Sequence, residues 1–446
     1  MDVNLRGVSR VPRSFSKIEF PSLKGVVAAV PSRNSFGSAR EDTRLYTASA
    51  KERGAPFSLR EKVRMRASNL VLLLHVIFCF GIFSSAKGAE AKQTRESGEI
   101  FVGSVGCRSS SCHGGAGEKR SQYITWSRQD FHSRAFSILT NARSARIAEG
   151  AGTTDAPAIA RCTVCHSPFQ SVAPTQLAST AHPDEGVSCE SCHGAAEPWL
   201  RGHTRTDWTY AMRVTAGMRD LKNLYVRANT CVACHQNIDN DLLRAGHPAL
   251  VFELDSQSVN EPKHWRNDEP WSEARAWLTG QAVALREAAW RSRTDTDPAI
   301  DMQQTSVALA WLLAKATLAD PMLPKISEAQ SSNLELLQKQ ADDLARRAAT
   351  WNPNADSTMA ILRALAESHA EFVVTKPISA EILFYRAKRL CLALDRLTNA
   401  LKENGATQIS VDKELKSLRE DVRLRDNFDA PRFSEHLRAF RAAVTK

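Results

Sequence analysis

Four cysteine pairs between residues 107 and 235 each have a histidine directly after the second cysteine: Cys107 and Cys112 with His113, Cys162 and Cys165 with His166, Cys189 and Cys192 with His193, and Cys231 and Cys234 with His235. With 12 histidines in 446 residues, four such coincidences have a chance on the order of one in a million. Two nearby thiols followed by an imidazole form the arrangement that attaches a haem: the thiols add to its vinyl groups and the imidazole ligates its iron. Zinc ribbons also pair Cys-x-x-Cys units but do not need a histidine after each. Disulfides would leave the histidines unexplained. The pattern therefore predicts four covalently attached haem c groups. The first site, GCRSSSCHGG, has Arg108 to Ser111 between its cysteines instead of two residues. Its His113 keeps the iron bond available, so it is read as an attachment site of the same kind.

Each iron takes a proximal imidazole and, as a rule, a second axial ligand. From Gly98 to Asp268 the other histidines are His132, His182, His203, His247 and His264, and the methionines are Met212 and Met218. This supply predicts bis-imidazole irons, with Met/His ligation at one of them as the alternative. His132 lies in RSQYITWSRQDFHSRAFSILTNARSARIAEG, where Ile124, Phe131, Ile138 and Ile147 have helical spacing, so it is expected to project from a helix. His203 follows Gly194 and Pro198, which break a helix and let the chain turn. His247 precedes Pro248, which ends one. Aliphatic residues are sparse here, so macrocycles are expected to fill the core, with Trp126, Trp199, Trp208 and Trp265 along their edges.

The formal charge of +10 belongs to the start of the chain. Residues 1–64 carry 13 Lys and Arg against 6 Asp and Glu, Arg66 and Lys87 add two, and about +1 remains after Gly88. Four haems would add about eight propionates, which argues against a nucleic-acid partner. Residues 1–64 lack hydrophobic periodicity and read as a disordered or untranslated extension, with Met65 as an alternative start. MRASNLVLLLHVIFCFGIFSSAKG, residues 65–88, has a positive start, an apolar centre and small residues at its end, the form of a signal peptide. Its apolar run, Leu70–Phe83, is 14 residues, short of the roughly 18 to 20 that span a bilayer. Cleavage is expected, with an uncleaved anchor as the alternative; either version sends the chain to the periplasm or otherwise out of the cytoplasm.

From Trp271 onward the texture becomes helical. Ala274, Trp277, Leu278, Gln281 and Leu285 mark one apolar face, Leu334, Leu337, Ala341, Leu344 and Ala348 a second, and Leu383, Ala387, Leu390, Cys391, Leu394, Leu397 and Leu401 a third. Pro321, Pro324, Pro353, Pro377 and Asn404-Gly405 punctuate them. An antiparallel bundle is the simplest assembly. Cys391 is expected to be a core thiol, and His369 and His436 to be structural or exposed. The expected fold is thus mostly α with extensive irregular loops: an extension over 1–64, a signal over 65–88, a compact tetrahaem cytochrome c module over 89–266 and an α-helical domain over 267–446.

The order of FVGSVGCRSSSCHGG, DFHSRAF, RCTVCH, GVSCESCHGAAEPWLRGH and NDLLRAGHPAL resembles the multihaem cytochromes related to the tetrahaem electron acceptor of hydroxylamine oxidoreductase, over roughly residues 98–290. The resemblance implies a mostly helical tetrahaem module with closely stacked haem pairs that transfers electrons; the acceptor itself is similar in having one iron without a strong second ligand. Two features depart from the pattern. Many relatives read Asn-His-Asp-Leu where this chain has Asp239, Asn240, Asp241 and Leu242, and some carry a further haem-binding unit where this chain has no cysteine between Cys234 and Cys391. If a fifth haem was lost, one distal histidine is spare, and His264 in EPKHW is the first candidate. The function expected is electron transfer with redox partner proteins, including membrane-associated donors. One alternative is an oxidoreductase acting on a small nitrogen or sulfur compound at an open iron, with Asp184 or Asp241 handling protons; a second is a redox-linked scaffold. No catalytic residue is singled out.

Overall fold

The computed structural model describes residues 99–265, 269–294, 300–328, 333–373, 378–406 and 409–445. The extension, the signal segment and Pro377 lie outside these residues. Regular structure is almost entirely helical: among the described residues there is no strand, only an isolated bridge between Phe101 and Leu177. Residues 90–446 form one compact unit, and the boundary expected between 266 and 267 falls inside it.

In the first half the helices are short and separated by long irregular connections. The main ones are α1 (Gln122–Gln129), α2 (Ala142–Gly150), α3 (Ala160–His166), α4 (Cys189–His193), α5 (Leu224–His235) and α6 (Leu254–Asn260). The single helix expected through His132 is broken. Asp130 is extended, at ψ 128°, and its carboxylate accepts from the His132 backbone N–H at 2.9 Å, so His132 starts a new one-turn 3-10 helix over Phe131–Arg134. The first half has one small apolar cluster of its own, Leu139, Ala148 and Ala156. Such a sparse core suits a region built around large apolar groups.

The second half holds α7 (Ser272–Thr294), α8 (Ile300–Ala319), α9 (Leu334–Ala349), α10 (Ala355–Ala366), α11 (Ala380–Glu403), α12 (Asp412–Asp421) and α13 (Ala430–Val444). α7 packs on α8, α9 and α11, while α8 packs on α10 and α11. The expected faces of α7, α9 and α11 are buried from Ala274 to Leu285, Leu337 to Ala348 and Leu383 to Leu401. Each large aliphatic or aromatic side chain removed from water in this way stabilises by about 1.5–3 kcal/mol. α8 is apolar all round from Ala308 to Leu313, so it has no stripe for periodicity to detect. Side-chain caps start several helices: Asn354 accepts from Ser357 N, Ser379 from Ile382 N and Asp429 from Arg432 N. Cys391 is buried, and burial pushes its thiol up to about 12. His436 is held by Asp421 at 2.6 Å and His369 accepts from Ser434 through its carbonyl, both structural roles.

Several contacts bind the halves together. α5, which ends on the fourth motif, packs on α7. Arg286 of α7 meets Asp342 of α9 at 2.8 Å, and Tyr225 of α5 donates to the same Asp342 at 2.7 Å. Gly280 lies in the middle of α7 because a Cβ there would sit 2.7 Å from the Cβ of Leu254, so its absence lets α6 lie directly on α7. Beside this crossing, Arg389 of α11 pairs with Glu253 at 3.0 Å, both fully buried. Arg389→Ala is expected to cost about 3–5 kcal/mol by leaving the carboxylate buried without its partner, read as a fall in the urea midpoint; an unchanged midpoint would contradict this account of the join.

Candidate haem-binding site

A Cys-x-x-Cys-His run on one helical turn brings both thiols and the imidazole to one face. α3, α4 and the end of α5 carry the second, third and fourth motifs in this way. The first motif reaches its arrangement differently. Cys107 closes a 3-10 turn, and the longer loop folds back so that His113 N donates to Cys107 O at 3.2 Å and both Cys112 N and Gly114 N donate to Ser109 O at 2.9 Å. Gly114 makes the fold-back possible, since a Cβ there would fall 1.8 Å from Arg108 O. The two extra residues are thus absorbed by a loop over the glycine. Gly114→Ala is expected to cost the first attachment alone, giving three haems per chain instead of four by intact mass; four would contradict it.

Each motif histidine faces one other imidazole. Ring centres are 6.1 Å apart for His113 and His203, 6.5 Å for His166 and His247, 6.4 Å for His193 and His264, and 5.9 Å for His235 and His132. An iron bonded to two imidazole nitrogens at about 2.0 Å, each nitrogen about 1.1 Å from its ring centre, separates the centres by roughly 6.2 Å. All four separations fit an iron between the rings. His182 is exposed and has no imidazole partner among the described residues. The spare histidine in this arrangement is therefore His182 and not His264, because the segment after α6 returns His264 to His193. Met212 is exposed, and neither it nor Met218 belongs to an imidazole pair.

Five of the eight outer nitrogens are held as ligating imidazoles require, whereas Nδ1 of His235 faces Gln257 Nε2 at 3.4 Å and Nδ1 of His264 is buried without a partner. Nδ1 of His113 donates to Gln122 Oε1 at 3.0 Å, that of His166 to Ala135 O at 3.1 Å, that of His203 to Leu200 O at 2.5 Å and that of His247 to Pro248 O at 2.9 Å. Nδ1 of His132 lies 3.0 Å from Asp130 Oδ1. Fixing the proton on Nδ1 leaves the Nε2 lone pair free and raises its basicity. Burial depresses the pKa of His193 to about 4 and also lowers His166, His203, His235 and His264, so these rings are neutral. His132 moves upward, first through its hydrogen bond to Asp130. Trp199 packs edge-on to His203 at 5.3 Å and Trp265 to His264 at 5.1 Å; Trp126 donates to Val187 O at 3.0 Å, and Trp208 covers Gly202.

None of the eight motif cysteines is in a disulfide. Cys107 hydrogen-bonds Cys189, and Cys165 hydrogen-bonds Cys234, while the charge of Cys192 acts on Cys231. The motifs therefore adjoin one another in the order first, third, fourth, second. Burial pushes Cys192 to about 11 and Cys231 to about 12. Among the described residues the one converging group of possible metal ligands is Asp130, His132 and Glu261, and it contains no cysteine.

Residues 106–194 match the family model described as cytochrome c554 and c-prime. Over this segment the chain is similar to c-type cytochromes. Such a domain holds haem c covalently and transfers electrons with redox partners, and the cysteines outside disulfides and the ring spacings fit that group. Comparison with curated proteins and with solved structures gave no match.

The sequence did not single out the groups that position the cytochrome motifs. Glu190, inside CESCH, accepts from Val102 N at 3.0 Å, Gly103 N at 2.7 Å and Ala196 N at 2.7 Å, tying the approach to the first motif onto the third. Glu185 accepts from Ser104 N at 2.9 Å beside it. Glu190 is the one acidic residue between the cysteines of any motif, which is the trace it left in the sequence. Asp130, which caps the turn that carries His132, was passed over because the spacing read as one continuous helix there. Asn240 accepts from Arg291 of α7 at 3.3 Å and so serves the join between the halves.

Proposed function

We propose that this chain is an exported electron carrier holding four haem c groups, one on each cysteine pair, with axial imidazoles His113 and His203, His166 and His247, His193 and His264, and His235 and His132. The four ring separations carry the reading, because each motif histidine is matched to a different second imidazole at the spacing of a six-coordinate iron. When bound, haem iron supplies a one-electron centre. The chain's own part is to fix the Nδ1 protons of His113, His132, His166, His203 and His247, which raises ligand basicity and favours low potentials, and to bury rings such as His193 away from water, which limits reorganisation. The adjacency of first, third, fourth and second motifs supports a continuous series of centres.

The enzyme alternative needs an open iron and a nearby acid. Asp184 is exposed, and Asp241 is exposed and engaged by Arg244 at 2.6 Å, so neither is presented to a buried imidazole. The carrier reading is therefore preferred. Mass spectrometry of proteolytic peptides tests it: four peptides, each containing one cysteine pair, are expected to bear a haem through two thioethers. Any pair recovered as free thiols from purified holoprotein would overturn the count of four. The same protein is expected in the periplasmic fraction, and recovery from the cytoplasm would overturn export.

A further inference from the structure

From the end of α1 into α2 the chain presents two exposed apolar side chains on a stretch rich in arginine. Phe131 is 78% exposed and Ile138 is 49% exposed. Arg128, Arg134, Arg143 and Arg146 are all exposed, and none has a carboxylate partner among the described residues. The Arg134 guanidinium lies over the Phe131 ring at 5.2 Å, and its Nη2 donates to Arg128 O at 3.2 Å, so these three residues form one patch, while Ser144 of α2 donates to Ile138 O at 2.7 Å and joins Ile138 to the helix that carries Arg143 and Arg146. From 128 to 148 the one carboxylate is Asp130, which is buried and turned to His132. Nothing acidic on this stretch offsets the arginines.

The patch also adjoins two imidazole pairs. His132 follows Phe131 directly, Ala135 O holds Nδ1 of His166, and Arg143 donates to Gly246 O, the residue before His247, at 3.3 Å. Electron transfer weakens steeply with distance, so a partner seated here is well placed to exchange with the second and fourth sites. We infer that the surface from Arg128 to Arg146 is the docking face for an acidic redox protein, which lays an apolar contact on Phe131 and Ile138 and its carboxylates on the arginines. This rests on the electron-carrier reading above. An aromatic anchor with surrounding arginines has the composition of a protein interface centre, and complementary charge sets orientation and encounter rate. Two apolar side chains on separate short turns do not form the continuous face with which an interfacial helix enters lipid.

The test uses purified holoprotein in stopped-flow reduction by an acidic flavodoxin, chosen as a one-electron donor with a negative surface. The second-order rate is expected to fall about tenfold between low and high salt. The triple variant Arg128→Glu, Arg134→Glu, Arg146→Glu is expected to lose about tenfold at low salt and most of the salt dependence. Phe131→Ser is expected to slow the reaction at every salt concentration. Lys413→Glu with Lys416→Glu, on the exposed side of α12, should leave the rate unchanged. A triple variant reacting at the parent rate would overturn the proposal. So would a triple variant with altered midpoint potentials or haem content, which would assign the arginines to haem propionates, or one that loses only binding to anionic vesicles, which would assign them to a lipid surface. A parent protein without haem absorbance would instead refute the underlying electron-carrier reading.

Discussion

Replacing His264 with alanine is expected to convert one iron in four from low-spin six-coordinate to high-spin, while His182→Ala leaves all four low-spin. The two histidines look equivalent in the sequence, and EPKHW was the first candidate for the spare. The fold separates them. His264 stands 6.4 Å from His193, whose ring is buried deeply enough to depress its pKa to about 4, and Trp265 and Arg227 close the surroundings. His182 is exposed. The buried His193 site offers no other imidazole at that spacing among the described residues, so a truncated His264 leaves the iron open or bound to water. Magnetic circular dichroism of the oxidised variants checks this, and a fully low-spin His264→Ala protein would contradict the pairing. The conservative control His264→Met should restore six-coordination with a raised potential at one centre, since thioether ligation favours the reduced iron.

Glu190→Ala is expected to abolish most of the holoprotein yield. The carboxylate is buried and receives three backbone N–H groups at 2.7 to 3.0 Å from two separate segments. Each donor left unpaired in the interior costs about 1–3 kcal/mol, so the total is on the order of 5 kcal/mol against a typical stability of about 5–15 kcal/mol. The damage would be local as well as thermodynamic, because Val102 and Gly103 lead into the first motif and Glu190 lies within the third. Glu190→Gln retains an acceptor oxygen and should give holoprotein with a lowered urea midpoint. A Glu190→Ala protein with parental yield and midpoint would show that the backbone finds other partners.

The attachment motifs were legible because covalent chemistry fixes their residue types and spacing. Helices α7, α9 and α11 were legible because each has one wet face and one dry face. α8 was not, because a helix buried all round has no contrasting face, and the helix through His132 was misread because Phe131 and Ile138 have helical spacing yet are exposed. Periodicity cannot distinguish an apolar residue that faces a core from one left on a surface. Which distal histidine meets which motif was beyond the sequence for a similar reason: the pairs 132 with 235 and 113 with 203 are separated by about a hundred residues, and the matching follows from how irregular connections fold back. Glu190 belongs to the same class, since its meaning depends on backbone N–H groups that have no signature in residue type.

Oxidised holoprotein, with haem counted against protein and its spin states read by EPR, tests the central claim most directly. Four haems per chain are expected, all low-spin. His113 and His203 are nearly parallel at 13°, whereas the other three pairs lie at 68° to 84°. Parallel rings split the two iron d orbitals of π symmetry and perpendicular rings leave them close in energy, so one centre should give a rhombic low-spin signal and three should give strongly anisotropic ones. Fewer than four haems, or a high-spin signal amounting to one iron in four, would contradict four histidine-paired sites.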